Sequence, residues 1–174
     1  MDIKPIETRY KGYRFRSRLE ARWAVFFDTL GIRWEFEPEG IKLPGGVQYL
    51  PDFLLLLPSG SIYAETKRGD VCLGDEDLRK AEACATAGRP VLVLDGTPDA
   101  KRGWNLFLGN DTLNLMEFAD DRERLKHANF ADYEMDENTG KFWRIAPPSS
   151  QREVIAAVDA ARSARFEFGE SGAG

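Results

Sequence analysis

The segment "YLPDFLLLLPSGSIYAETK", residues 49–67, joins two apolar runs through the turn-forming residues "PSG". Two such runs separated by a short turn predict a β-hairpin. Three charged residues nevertheless stand within this otherwise apolar hairpin, namely Asp52, Glu65 and Lys67. Their placement allows both the fold and the function of the chain to be predicted.

The pairing of the two strands decides whether these charged residues meet. With a turn centred on residues 59–60, we expect Leu54 to pair with Glu65 and Asp52 with Lys67. Because side chains alternate between the two faces of a strand, Asp52, Glu65 and Lys67 then share one face. Taken singly, they have plainer explanations: Asp52 would end a turn after a proline, and Glu65 with Lys67 would be an exposed pair on an edge strand.

A shared face on a covered sheet favours a metal site, because two carboxylates and an ammonium group are costly to bury without partners. Mg²⁺ offsets that cost by binding one or two carboxylates together with waters and phosphate oxygens, and Mn²⁺ can substitute for it. Such a cation lowers the pKa of a bound water and neutralises charge on a phosphate. Lys67 would orient the attacking water or stabilise the pentacovalent phosphorus. The hairpin therefore predicts a phosphodiesterase site in outline.

The elements around the hairpin predict an α/β protein. A helix is expected from Ser17 to Gly31, and its apolar stripe consists of Leu19, Trp23, Phe26, Phe27 and Leu30. "IRWEFEPE" follows as a strand, and "LPGG" as a turn. After the hairpin, a helix over residues 75–87 leads to the unbroken apolar run "VLVLD", which is typical of a crossover to a buried parallel strand. The inward residues of the helix over residues 75–87 are Leu78, Ala81 and Ala85. The order through residue 96 is helix, three strands, helix, strand.

Two motifs in this order resemble the signature of the PD-(D/E)XK nuclease superfamily: Pro51-Asp52 and, in the next strand, Glu65-Thr66-Lys67. The stretch "FRSRLEARWAVFFDTLGIRWEFEPEG" followed by "YLPDF" resembles the small phage and prophage members. The resemblance covers residues 12–96 and implies a restriction-endonuclease-like α/β core, αβββαβ, with a mixed sheet flanked by helices.

The resemblance also implies a function, a metal-dependent deoxyribonuclease that hydrolyses phosphodiester bonds, and we expect an endonuclease. Asp52 and Glu65 would be metal ligands, with the backbone carbonyl of Thr66 as a third, and Lys67 would assist the nucleophile. Glu20 matches a first-helix Glu that helps to hold metal or water in many members. Glu20 also lies three residues after Ser17, so a capping box explains it equally well.

Basic residues precede and surround this helix. Through Arg22 the chain has a balance of +4, whereas the remainder carries −9. The residues expected to contact nucleic acid are Arg14, Arg16, Arg18, Arg22 and, on the second helix, Lys80. A solvated charged face is the plainer explanation of the arginines. Core packing likewise explains the interleaved aromatic residues Tyr10, Tyr13 and Phe15, which would also suit base stacking.

The remaining sequence is less informative. We expect one domain over residues 1–168, with appended strands and a helix over 101–168 and a disordered tail over 169–174. "DYEMDENTGKFWRI" predicts a hairpin turning at residues 138–140, and Ser150 with Glu153 predicts a capped C-terminal helix. Val154, Val158 and Ala161 share one face of that helix.

Several classes of protein and several partners are disfavoured. A net charge of −5 gives no general attraction to nucleic acid, and Cys72 and Cys84 lack metal-motif spacing. The sequence has no phosphate-binding Gly-Lys-Thr loop, and His127 has no Ser or Cys partner nearby. Without a signal peptide or membrane span, the cytoplasm of a bacterial or phage-infected cell is expected.

The expected partner is DNA, with no membrane and no nucleotide cofactor. By analogy with single-domain nucleases that cut both strands, a homodimer is also expected. Two alternatives stay open: a catalytically silent DNA- or protein-binding module of the same fold, and an RNase.

Overall fold

The computed structural model describes residues 7–57, 60–68, 76–99, 105–108, 111–114 and 151–166. These residues form a mixed α/β protein, as the sequence predicts. The strands are β1 Thr8–Tyr10, β2 Tyr13–Phe15, β3 Arg33–Phe36, β4 Ile41–Lys42, β5 Gln48–Tyr49, β6 Phe53–Leu57, β7 Gly60–Lys67, β8 Val91–Asp95, β9 Asn105–Leu108 and β10 Asp111–Asn114. The helices are α1 Arg18–Thr29, α2 Glu76–Thr86 and α3 Gln151–Ser163.

A six-stranded sheet lies at the centre, in the order β10-β9-β8-β7-β6-β3. Strand β8 runs parallel to β7, and the other neighbours in this sheet are antiparallel. The predicted order of helix, three strands, helix and strand is therefore confirmed along α1, β3, β6, β7, α2 and β8. Two short hairpins, β1-β2 and β4-β5, form separate two-stranded sheets that the sequence analysis did not predict.

The register of the β6-β7 hairpin differs from the prediction. Phe53 pairs with Ala64 and Leu57 with Gly60, so the connection is two residues, 58–59, and the predicted pairing of Asp52 with Lys67 is wrong. The physical reason is that a proline at position 58 has no amide hydrogen to donate to a strand ladder. Because the error is two positions and side chains alternate with period two, Glu65 and Lys67 keep the predicted face.

Helix α1 follows its sequence signals closely. The Ser17 hydroxyl accepts a hydrogen bond from the backbone amide of Glu20 at the start of the helix. At the end, Gly31 adopts a left-handed conformation with φ of 70°. Its amide bonds to the carbonyl of Asp28, and the next amide, of Ile32, bonds to the carbonyl of Phe27. This pattern is a Schellman motif.

Apolar side chains cover both faces of the central sheet. On one face, α1 and α3 pack against each other, and their buried side chains form one apolar cluster with those of β6 and β8. The large side chains of this cluster include Phe15, Trp23, Phe26, Phe27, Phe53 and Leu92. On the other face lie α2 and the β4-β5 hairpin, with Ile41, Tyr49, Leu78, Ala81, Cys84, Val91 and Val93. Strand β8 is therefore buried from both sides, as the run "VLVLD" predicts.

Helix α3 confirms the expected C-terminal helix, and Val158 and Ala161 are buried while Val154 is partly buried. Several predictions lie outside the described residues: the hairpin around residues 138–140, the Ser150 cap, the tail over 169–174, and the surroundings of His127 and Cys72. None of the helices in the described part of the chain has the length and apolar character needed to cross a membrane.

Candidate active site

Three carboxylates and a lysine from four positions of the chain meet at one end of the central sheet. Glu20 lies in the first turn of α1, Asp52 directly precedes β6, and Glu65 and Lys67 lie at the end of β7. The three acidic residues are buried, with exposed fractions of 6% for Glu20, 4% for Asp52 and 8% for Glu65. Buried carboxylates need partners, and the partners define the site.

Both carboxylate oxygens of Asp52 accept hydrogen bonds, one from the neighbouring strand β7 and one from an arginine. Its Oδ2 accepts hydrogen bonds from the backbone amide and from the hydroxyl of Thr66, each at 2.7 Å. Its Oδ1 accepts a hydrogen bond from Nη2 of Arg16, also at 2.7 Å. Thr66 therefore joins the site through its amide and hydroxyl, while the role of its carbonyl as a ligand stays a prediction.

Glu65 lies between a phenol and an ammonium group. The Tyr49 hydroxyl donates to its Oε2 at 3.1 Å, and the Lys67 ammonium lies 3.2 Å from its Oε1. Burial and, next, the negative charge of Asp52 raise the pKa of Glu65 to about 7, although Lys67 and Tyr49 act in the opposite direction. The site therefore holds two carboxylates close enough to repel each other, and a bound cation would relieve that repulsion.

Lys67 is held by two carboxylates. Its Nζ lies 2.6 Å from Oδ2 of Asp77, in the first turn of α2, and this contact is shorter than the one to Glu65. Burial acts to lower the pKa of Lys67, but the hydrogen bond to Asp77 and the charge of Glu65 outweigh it, so that the pKa is raised. Lys67 is accordingly a cation at neutral pH. Lys80 lies 4.0 Å from Asp77, at the border of the site, and pairs with Glu76 at 2.8 Å.

Glu20 caps the helix and also faces the site. Its Oε1 accepts from the Ser17 hydroxyl at 2.9 Å, and its Oε2 accepts from the backbone amide of Arg16 at 2.9 Å. In a standard capping box the carboxylate would bond to the amide of Ser17 itself, so the contact is displaced by one residue. Burial and then the charge of Asp52 raise the pKa of Glu20. The contact with Ser17 supports the capping explanation of Glu20, whereas its role toward metal or water stays a prediction.

The predicted basic residues separate into three groups. Arg14 pairs with Glu7 on the surface, away from the carboxylates. Arg16 binds Asp52 directly. Arg18 and Arg22, one turn apart on α1, each bury an Nε that has no hydrogen-bond partner among the described residues.

Four residues that contact or border the site were not predicted from the sequence. Tyr49 and Glu37 come from outside the two hairpin strands, and Asp77 comes from α2, so no strand period points to them. Asp95 pairs in register with Lys67 at the end of β8, and its Oδ1 is buried without a hydrogen-bond partner in the described ranges. A charged residue ending the apolar run "VLVLD" was a signal for Asp95, because the ends of adjacent parallel strands lie together.

The residues present suit a hard divalent cation. Within the described residues, no three His, Cys, Asp or Glu side chains are grouped so as to enclose a metal ion. Mg²⁺ does not require such an enclosure, since one or two carboxylates with water and phosphate oxygens complete its shell. Asp52 and Glu65 are the two buried carboxylates that would serve this purpose.

Fold and site together define a mixed α/β protein with a buried acidic cluster and a paired lysine at one end of its sheet. No known family model matches this chain, and no curated protein matches it.

Proposed function

We propose that this protein is a Mg²⁺-dependent deoxyribonuclease with a restriction-endonuclease-like core, a member of the PD-(D/E)XK superfamily that cuts within DNA. The order α1, β3, β6, β7, α2, β8 supports the proposed core. The positions of Pro51-Asp52 before β6 and of Glu65-Thr66-Lys67 at the end of β7 support the motif assignment.

One observation carries the proposal: two buried carboxylates, Asp52 just before β6 and Glu65 on the adjacent β7, lie together with a cationic Lys67 that pairs with Glu65. Structural residues at such positions would more cheaply be apolar, because a buried ionic cluster adds little net stability. Here the cluster also borders the protein surface, since the side chain of Arg16, which binds Asp52, is 57% exposed.

Each residue of the site would have a distinct role in the proposed reaction. Asp52 and Glu65 would each give a carboxylate oxygen to the cation, and Glu20 would hold a water next to them. When bound, the cation would hold the scissile phosphate and lower the pKa of the attacking water. Lys67, kept charged by Asp77 and Glu65, would orient that water and offset negative charge on the phosphorus.

Arginines near the site would contact the DNA backbone. Arg18 and Arg22 lie on α1 on either side of Glu20 in sequence, and both residues are partly exposed. Phosphate contacts of this type give affinity without sequence choice. Their contribution should therefore fall as salt concentration rises.

The experiment is a cleavage assay with supercoiled plasmid, linear duplex, single-stranded DNA and RNA, in Mg²⁺ and in EDTA. We expect nicking or linearisation of the plasmid in Mg²⁺, and loss of at least about a hundredfold in rate for Asp52→Asn. Asp159→Asn is the matched control, because it makes the same chemical change at an exposed position of α3. Cleavage of RNA alone would support the RNase instead, and equal rates for both variants would refute the assigned site.

A second candidate is a DNA- or protein-binding module without catalysis. The observation that favours it is the internal pairing of both proposed metal ligands: Arg16 and Thr66 satisfy Asp52, and Tyr49 and Lys67 satisfy Glu65. In that case the protein would retain DNA without cutting it, and its DNA affinity would be the same in Mg²⁺ and in EDTA.

A further inference from the structure

Arg16 occupies the oxygen of Asp52 that the proposed function gives to the cation. Its Nη2 lies 2.7 Å from Oδ1 of Asp52, and its Nε lies 2.9 Å from Oε1 of Glu37. Its backbone amide also donates to Oε2 of Glu20 at 2.9 Å. A single residue therefore contacts three carboxylates at the edge of the site.

The two carboxylate oxygens of Asp52 differ in how easily their hydrogen-bond partners can be replaced. Oδ2 is held by the amide and hydroxyl of Thr66, which belong to the central sheet. Oδ1 is held by a guanidinium whose side chain is 57% exposed, whereas the side chain of Asp52 is 6% exposed. Arg16 can therefore leave toward solvent without disturbing the core, and its departure would leave a buried carboxylate oxygen without a partner.

Glu37 keeps Arg16 directed at Asp52. Its φ is 45°, in the left-handed region that residues other than glycine rarely adopt. Its backbone amide donates to the carbonyl of Asp52 at 2.8 Å, which fixes the two residues beside each other. Strained backbone of this kind persists where the surroundings hold it in place, and here it places a carboxylate against the Nε of Arg16.

We propose that Arg16 and a divalent cation compete for Oδ1 of Asp52. The inference rests on the proposed metal site. Arg16 neutralises the buried carboxylate in the metal-free protein and releases it when the cation binds. Its guanidinium, still beside Glu37, is then free for a phosphate of the nucleic acid. By linkage, any group that draws Arg16 away from Asp52 strengthens cation binding.

The test is calorimetric titration of Mn²⁺ alone into the DNA-free protein, at about 0.15 M KCl so that exposed charges are screened. The variants are Arg16→Gln, Arg16→Lys, Asp52→Asn, which removes a proposed metal ligand, and the control Arg14→Gln, which removes the same charge as Arg16→Gln two residues away. We expect Arg16→Gln to bind Mn²⁺ about three- to tenfold more tightly than wild type, since one charge-assisted bond no longer opposes the metal. Arg16→Lys keeps the charge but loses the planar guanidinium, so its Mn²⁺ affinity should lie between those of wild type and Arg16→Gln. Arg14→Gln should match wild type.

The outcomes separate this inference from the proposed function. Unchanged or weaker Mn²⁺ binding in both Arg16 variants, with binding lost in Asp52→Asn, would overturn the competition and keep the metal site. Absence of Mn²⁺ binding in every protein would reject both. Thermal melting in EDTA identifies a variant that does not fold. If Arg16→Gln does not fold, the Mn²⁺ affinity of Arg16→Lys decides: tighter binding than wild type supports the competition, and unchanged binding refutes it.

Discussion

Glu65 is the residue at which burial and charge oppose each other most clearly. It is 8% exposed, and its pKa is raised to about 7 by burial and by Asp52, despite the nearby ammonium of Lys67. In the metal-free protein near neutral pH, this carboxyl is therefore partly protonated. Such a group links the stability of the protein to pH in a way that can be measured.

The stability of the metal-free protein should fall as pH rises from about 4.5 to about 7 because of Glu65. In that range the folded protein keeps the proton of Glu65, whereas the unfolded chain, with the ordinary pKa of 4.5, has released it. Stability decreases with pH wherever the folded state binds more protons, so this contribution is complete below pH 4.5 and lost above pH 7. The expected loss is on the order of 3 kcal/mol. Urea unfolding in EDTA across this range measures it.

Two variants isolate the effect of Glu65. Glu65→Gln should lack this fall in stability, whereas Glu82→Gln, at an exposed position of α2, should keep it. Tyr49→Phe should extend the fall to higher pH, because the Tyr49 hydroxyl bonds to Glu65 and helps to lower its pKa. Identical pH profiles for wild type and Glu65→Gln would contradict the assignment of the raised pKa to this residue.

The site residues in or next to the β6-β7 hairpin were predictable from the sequence, whereas those contributed by other elements were not. Glu65 and Lys67 are two residues apart on β7, and the strand period therefore predicts that they share a face. Asp77 and Tyr49 reach the same charges from α2 and β5. Their positions depend on how the crossover helix and the β4-β5 hairpin pack, and no local pattern encodes that packing.

At the scale of elements, a long segment with a repeating pattern is easier to predict than a short one. Helix α1 has twelve residues with a cap, an apolar stripe and a terminating glycine, and all of these signals were correct. Strands β1 and β2 have three residues each, too few to show a period. Their turn uses Lys11 and Gly12, both with positive φ, where Asn-Gly or Asp-Gly would have been the recognisable signal.

The end of α1 gives a prediction at this scale. Gly31→Ala should lower the free energy of unfolding by about 1 kcal/mol, because alanine is disfavoured at a φ of 70°. The cost is conformational alone, since an added Cβ would meet no atom within 4 Å. Gly31→Asn, which tolerates left-handed backbone better, should cost less. Denaturant unfolding of the three proteins checks this order, and equal stability of Gly31→Ala and wild type would contradict the Schellman geometry.

At the scale of the whole molecule, the two ends of the described chain complete one core. Helix α3 packs on α1, and buried side chains of both helices belong to the apolar cluster that includes Phe53, Leu92 and Leu94 of the sheet. Trp23 of α1 also donates from Nε1 to the carbonyl of Gly96, just after β8, which ties the helix to the sheet near the candidate site. The apolar face of α3 was predictable from its period, but a period does not tell which element covers the face.

A charge placed on the covered face of α3 should therefore lower the free energy of unfolding far more than a charge placed on the opposite face. Ala161 is fully buried in the core shared with α1, whereas Ala156 is exposed on the same helix. Ala161→Asp should cost about 3 kcal/mol or more, because the carboxylate is buried without a partner. Ala156→Asp should cost less than about 1 kcal/mol, mostly the lower helix propensity that both variants share. Urea unfolding of the pair, at one pH, measures the difference. Equal costs would mean that α3 does not cover α1 in solution.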